Sequence, residues 1–314
     1  MRTRPLGGGP LASTRLAYGC MRCAGTMERA RFTPEMEARG RAAILAAWEA
    51  GYTHFDHADI YGNGISEEIF GRVLRDVPGM REGALVASKC GIRWAGDPDP
   101  SAPHRWDFSR EHLVRSCEGS LRRLGIERLD LFMLHRPDYL ADPDEIAAAF
   151  AELHAAGKVR EFGVSNFRPS QVAALRRACP LPLRVNQVEV HLLRLEPFED
   201  GTLDQCLELG VTPVSWSPLA GGRLGDGAAP DPGDPRASVH AAVLAALDAA
   251  AGRHGVSRTV VALAWLLRHP AGIVPVVGSV HPDRIRDAVR ADALELSREE
   301  WYAILLAARG AGLP

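Results

Sequence analysis

Along this chain, short uninterrupted apolar runs alternate with longer stretches whose apolar residues recur at helical spacing. The runs fall at residues 15–19, 52–56, 85–89, 129–135, 159–164, 184–188, 212–216 and 273–277. Runs of this kind, bounded by turn residues, read as strands buried on both faces. The stretches between them carry helix punctuation. Asp142-Pro143-Asp144-Glu145 predicts a capping box with proline at the first helical position. Ile146, Phe150 and Leu153 then share a face, and Gly157 ends the helix. Ser109 caps a second helix, with Leu113, Cys117, Leu121 and Leu124 on one face and Gly125 as its stop. Ser297 and Glu300 open a last helix carrying Trp301, Ile304 and Leu305.

Eight strands alternating with helices predict a closed (β/α)8 TIM barrel, one domain over residues 1–314. The rival, an open doubly wound sheet, needs a Gly-x-Gly-x-x-Gly turn after an early strand. Gly7-Gly8-Gly9 precedes the first run and does not supply it. Three additions to the barrel are expected: an N-terminal hairpin at 1–14, a loop plus extra helix at 221–256, and a C-terminal helix and tail at 297–314. Segments 91–108 and 221–236 read as irregular. Both follow strands, which places them at the face where barrel enzymes build their sites.

Composition narrows the picture. An apolar content of 46% is enough for a large core, and a net charge of −2 gives no reason to expect nucleic acid or an anionic membrane. No apolar run reaches membrane-spanning length. Residues 1–10 hold two arginines with no apolar core behind them, so they do not read as a secretion signal. Six scattered cysteines form no disulfide framework, which fits a reducing cytoplasm. Of 37 basic residues only Lys89 and Lys158 are lysines. Lysine is a compact point charge whose pKa can move, whereas arginine spreads a fixed charge over a planar fork. A lysine kept at the end of an apolar run marks a place where guanidinium fails.

On a barrel, residues just past each strand converge on one mouth. The second strand delivers Asp56 and, in its loop, Tyr61; the third delivers Lys89; the fourth delivers His135. A phenol ordinarily titrates near ~10 and needs tuning to act as an acid at neutral pH. A nearby ammonium lowers that value, a carboxylate such as Asp56 steadies the ammonium, and an imidazole can hydrogen-bond a carbonyl oxygen. Such a set can protonate an alkoxide as it forms. It lacks a reductant, so a hydride cofactor is implied.

The motifs around these residues resemble the aldo-keto reductases. Phe55-Asp56-His57-Ala58-Asp59-Ile60-Tyr61-Gly62 is similar to the family segment in which Asp and Tyr stand five apart. Ser88-Lys89-Cys90-Gly91 resembles its lysine strand and Leu134-His135-Arg136-Pro137-Asp138 its histidine strand. Gly163-Val164-Ser165-Asn166-Phe167, Asn186-Gln187 and Ser215-Trp216-Ser217-Pro218-Leu219 follow in the family's order. The resemblance runs from about Arg15 to the final helix, and it is to a bacterial branch of putative oxidoreductases. It implies a cytoplasmic oxidoreductase that reduces the carbonyl of a small molecule with NADPH.

The resemblance also implies roles. Tyr61 would be the general acid, its pKa depressed by Lys89 paired with Asp56, and His135 would orient the carbonyl. Ser165, Asn166 and Gln187 would hold the nicotinamide carboxamide, and Trp216 would stack on the ring. Ser217, Pro218, Leu219, Gly221 and Gly222 would cradle the pyrophosphate, and Met21 and Arg22 would line the cofactor or substrate edge. Gly278, Ser279 and Arg284 match the 2′-phosphate site. Many relatives have lysine where this chain has Gly278 and an amide where it has Ala288, which leaves NADH use open beside NADPH. Asp287 either binds the adenine ribose or pairs a surface charge. Trp94 and Trp106 either line a substrate pocket or anchor their loop.

Other readings weigh less. Cys20 and Cys23 look like half a zinc site, but no second pair of suitable spacing follows. His54, His57 and Asp59 crowd Asp56 without completing a ligand set, so no metal is expected. Lys158 anchors a helix end. The alternative function is a nucleotide-binding redox sensor or regulatory protein with little turnover. Substrate identity and the choice between monomer and homo-oligomer are not encoded in these motifs.

Overall fold

The structure is a computed structural model and describes residues 1–313. In chain order its strands are β1 (Thr3–Pro5), β2 (Ala12–Thr14), β3 (Ala17–Gly19), β4 (His54–Asp56), β5 (Leu85–Cys90), β6 (Ile92–Arg93), β7 (Arg105–Trp106), β8 (Leu129–Leu134), β9 (Val159–Ser165), β10 (Leu183–Glu189), β11 (Thr212–Trp216) and β12 (Val274–Val277). β3, β4, β5, β8, β9, β10, β11 and β12 close into a barrel of parallel neighbours, with β12 pairing back onto β3. This is the (β/α)8 TIM barrel that the alternating pattern predicts. The runs at 15–19 and 52–56 pair only over their last three residues. Arg15 turns aside at the barrel floor, where its guanidinium reaches the Asp292 carboxylate at 3.1 Å.

Alternation along the strands builds the interior. Ala17, Leu85, Ala87, Leu131, Met133, Val185, Val214, Val274 and Val276 form one apolar cluster, completed by Leu6 and Leu11. The last two belong to the antiparallel β1–β2 hairpin, which plugs the N-terminal end. The Gly7 amide there donates to Thr212 Oγ1 at 2.8 Å. Successive inward positions are two residues apart. The inward residue after Leu85 and Ala87 is therefore Lys89, and the one after Leu131 and Met133 is His135. The same step reaches Gln187 from Val185 and Trp216 from Val214. A side chain at Gly163, below Ser165, would be crowded, because a Cβ would sit 3.0 Å from the Val185 carbonyl oxygen. A second, larger core fills the space between barrel and helices.

The helix signals at Ser109 and Ser297 hold. Ser109 accepts from the His112 amide, and Ser297 and Glu300 form a reciprocal capping box. The box expected at Asp142 does not form. Asp142 caps the helix Pro143–Ala155 through the Asp144 amide at 2.9 Å, but Glu145 turns outward. Its carboxylate instead accepts the Arg110 amide, at 2.8 Å, an unpaired donor in the first turn of the neighbouring helix.

Segment 91–108 is also corrected. Its ends are not irregular, because β6 and β7 pair into a second hairpin, while residues 94–104 between them run through turns and bends. Arg93, almost fully buried, clamps that hairpin by binding Asp97 and Asp107 at 2.9 and 2.8 Å. In segment 221–236 a short 3-10 turn at Ala220–Gly222 leads through turns to an extra helix, Ala237–His254. The C-terminal helix Arg298–Arg309 docks through stacked indoles of Trp265 and Trp301, 4.9 Å apart. Each indole N–H donates to the other residue's carbonyl. Among the described residues no helix is long and apolar enough to cross a membrane.

Candidate active site

At the C-terminal rim of the barrel, Lys89 is fully buried. Its Nζ donates to both oxygens of Asp56, at 2.7 and 2.8 Å, and to the His57 carbonyl at 2.7 Å. All three ammonium donors thus have acceptors here, and the group acts on the Tyr61 phenol first through its charge and secondarily as a hydrogen-bond donor. Burial alone would pull Lys89 down; the Asp56 carboxylate and the Tyr61 phenol more than offset it, and the ammonium sits above its ordinary value. The geometry calls for one small nitrogen with donors pointing three ways, which a planar guanidinium cannot offer.

Tyr61 lies against this ammonium, with Nζ 5.1 Å from its ring centroid. It also meets His135 edge to face, with ring centroids 5.9 Å apart. The tuning expected from the sequence is only half of what operates. Lys89 does lower the phenol's pKa, but burial raises it more and Asp56 adds to the rise, so the net shift is upward. Tyr61 is therefore a protonated donor at neutral pH. Burial, then the charges of Lys89 and Arg136, hold His135 well below its ordinary value, so its imidazole is neutral. The ring's Nδ1 is buried without a partner, which leaves Nε2 as its working atom.

Ser165, Asn166, Gln187 and Trp216 join the Lys89–Asp56 pair and the His135 backbone carbonyl in one hydrogen-bonded network. Gln187 Nε2 donates to Asp56 at 2.9 Å. Ser165 donates to the Gln187 carbonyl, and Asn166, held at φ 62°, donates to Ser165 and to the His135 carbonyl. The Trp216 indole N–H then donates to Asn166 Oδ1 at 2.9 Å. Here these side chains spend their polar atoms mostly on one another, fixing the indole and the His135 backbone.

The remaining predicted residues surround this network. Ser217, Pro218, Leu219, Gly221 and Gly222 form a tight turn past β11, with open space beside both glycines. Open space also lies beside Gly278, and Ser279 Oγ accepts the His281 amide at 3.1 Å. Arg284 is exposed and its side chain makes no ion pair or hydrogen bond among the described residues, whereas Asp287 is taken up by Ser257 and Arg290. Ala288 is fully buried. Met21 and Arg22 are exposed on the turn after β3. Trp94 and Trp106 sit on the β6–β7 hairpin in a chain of rings with His104 and Tyr139. Lys158 pairs with Glu118 at 2.6 Å, away from the rim.

Two features behind the site were not anticipated. Glu67, fully buried, accepts from Ser88 and Arg123 at 2.6 Å each and braces the strand that carries Lys89. Its only sequence signal is a glutamate on the apolar side of a helix. Asp59 Oδ1 is buried with no partner, and burial, reinforced by Glu67, pushes its carboxyl up to about 8. The folded protein thus holds a proton on Asp59 that the unfolded chain releases near pH ~4. This stability contribution is complete below that value and is lost as pH rises through about 8. Asp59→Asn should therefore stabilise the protein at pH 9, by roughly 1 kcal/mol or more, and change little at pH 5. Thermal melts at the two pH values check this, and equal shifts would show that the carboxyl is not protonated.

A fully buried lysine–aspartate pair, a phenol and a neutral imidazole at the rim of a (β/α)8 barrel define a class of protein. The Aldo/keto reductase family model matches residues 15–306, and the chain belongs to that family. Membership makes it an oxidoreductase acting on carbonyl compounds, in a family that works with NAD(P)H. The chain is 41% identical to a 6-dehydroglucose reductase of Novosphingobium aromaticivorans, over 99% of this chain and 97% of that one. It is 38% identical to a 6-dehydroglucose reductase of Agrobacterium fabrum, over 96% of each. Among solved structures, the glycerol dehydrogenase of Gluconobacter oxydans superposes with a TM-score of 0.84 at 27% identity, covering 97% of this chain and 95% of that one.

Proposed function

We propose that this protein reduces an aldehyde or ketone to an alcohol, with NADPH as preferred reductant. One observation carries the reading: the buried Lys89–Asp56 pair lies against the phenol of Tyr61, which faces His135. A buried ammonium is costly and is kept where its charge is used.

NADPH, when bound, supplies the hydride. Tyr61 is the general acid and gives its proton to the carbonyl oxygen. Lys89 stabilises the phenolate left behind, and Asp56 holds Lys89 in place. His135 directs Nε2–H at the same oxygen, and its neutrality keeps it a donor in place of a competing acid. The residues present fit a nicotinamide nucleotide. Trp216 offers an indole face held by Asn166, the turn carrying Gly221 and Gly222 borders open space, and Arg284 has no partner. Asn166, Ser165 and Gln187 would exchange part of their mutual bonding for the carboxamide. The relatives' names favour a sugar-derived aldehyde as substrate.

Titration of NADPH and NADH by protein fluorescence, followed by a carbonyl panel with the tighter one, tests this reading. Nucleotide binding without turnover on any carbonyl would overturn it. In the same assay Arg284→Ala should weaken NADPH by about tenfold or more and leave NADH nearly unchanged, because only NADPH carries the extra phosphate. Equal weakening would remove Arg284 from the phosphate site.

A further inference from the structure

The residue after His135 is not used by the reading above. Arg136 is half-buried, and its guanidinium carbon lies 5.1 Å from the centroid of the Trp216 ring. Among the described residues it makes no ion pair and no side-chain hydrogen bond, so none of its five N–H donors has a protein partner. Its position is nonetheless fixed. The His135 carbonyl just before it is held by Asn166, and the indole beneath it is held by the same side chain.

Charge around it points one way. The charged groups acting on the His135 imidazole are Lys89 and Arg136, both cations. Glu189 is an acid that feels Arg136, but its carboxylate already takes Arg194 at 3.2 Å and His191 at 3.4 Å. Lys89 already has acceptors in Asp56 and His57. Arg136 therefore presents an uncommitted, pre-positioned fork beside the residue that would bind the substrate carbonyl, and a fork of this kind suits oxygen acceptors.

We propose that Arg136 selects the substrate, by binding an oxygen acceptor on the carbon chain of the aldehyde or ketone. The protein then favours oxygen-bearing carbonyl compounds, carboxylates and phosphates before hydroxyls, over plain alkyl ones. This inference rests on the reductase reading and names its substrate class.

Steady-state kinetics with butanal, glyceraldehyde and succinic semialdehyde test it, on the wild type, Arg136→Met and Arg136→Lys. Methionine keeps an apolar stem over Trp216 and removes the donors. It should cost about 10–100-fold in kcat/KM with succinic semialdehyde, less with glyceraldehyde and under about threefold with butanal, mostly through KM. Arg136→Lys should recover part of the loss with succinic semialdehyde, because the charge returns without the fork. NADPH affinity should stay unchanged in both variants. Equal losses on all three aldehydes would reduce Arg136 to a support for Trp216 and overturn the proposal, as would no loss on any. A wild type that reduces butanal best would overturn it and leave the reductase reading intact. A wild type that reduces none of these and no other aldehyde or ketone of the carbonyl panel would overturn both.

Discussion

Tyr61→Phe is expected to lower the rate of carbonyl reduction by about 10²–10⁴-fold, the usual size of a general-acid contribution. The phenol ring packs against Lys89 and His135, and phenylalanine preserves those contacts. Nucleotide affinity and melting temperature should therefore hold while turnover falls. Since the phenol's pKa is raised, the wild type keeps its proton throughout the neutral range, and only the variant lacks a donor there. Single-turnover rates with saturating nucleotide separate the chemical step from binding. A loss under tenfold would mean that another group delivers the proton. His135 is a poor substitute, because its neutral ring gives up a proton far less readily than an imidazolium would.

Much of this site was legible because the barrel enforces a simple rule. Strands alternate in and out, and the last inward residue of each faces the rim. Reading Lys89 and His135 from apolar runs requires only that rule and the strand ends, which the sequence places within a residue or two; Gln187 and Trp216 came from the family resemblance. The lysine itself was a signal because arginine fills nearly every other basic position. The illegible parts depend on contacts between segments far apart in the chain. Glu145 was read as capping its own helix, but the Arg110 amide, 35 residues away, was the donor left unpaired. The hairpin in 91–108 is held by one buried arginine binding two aspartates, and no local periodicity reports such a clamp.

The same limit shows in the electrostatics. Sequence names the charges near Tyr61 but not the burial, and burial decides the sign of the net shift. Likewise Ser165, Asn166 and Gln187 were expected to face a ligand. They share a network with Asp56 and Trp216, so their first effect is to hold the machinery still. Arg136 was visible as a letter beside His135, but its lack of a partner is a fact about every other segment at the rim.

Lys89→Met is expected to destabilise the protein by about 3–5 kcal/mol as well as abolish most reduction, because it breaks a buried pair from one side. Asp56 is then left buried with the Gln187 amide as its remaining side-chain donor. Adding Asp56→Asn removes the stranded charge, so the double variant should regain much of the stability and none of the activity. The pH dependence distinguishes this from simple loss of packing. Without its ammonium, Asp56 is a buried carboxylate facing no counter-charge, and burial favours the neutral carboxylic acid. The stability this proton confers is present at low pH and lost as pH rises, so the variant's deficit should be smaller at pH 5 than at pH 8. Urea unfolding of the wild type, the single variant and the double variant at both pH values measures each term. A single variant within 1 kcal/mol of the wild type, with a deficit that ignores pH, would mean that solvent reaches Asp56 and that the pair is not the buried device described above. Activity retained in the double variant would be more damaging, because it would show that the ammonium's charge is not what Tyr61 depends on.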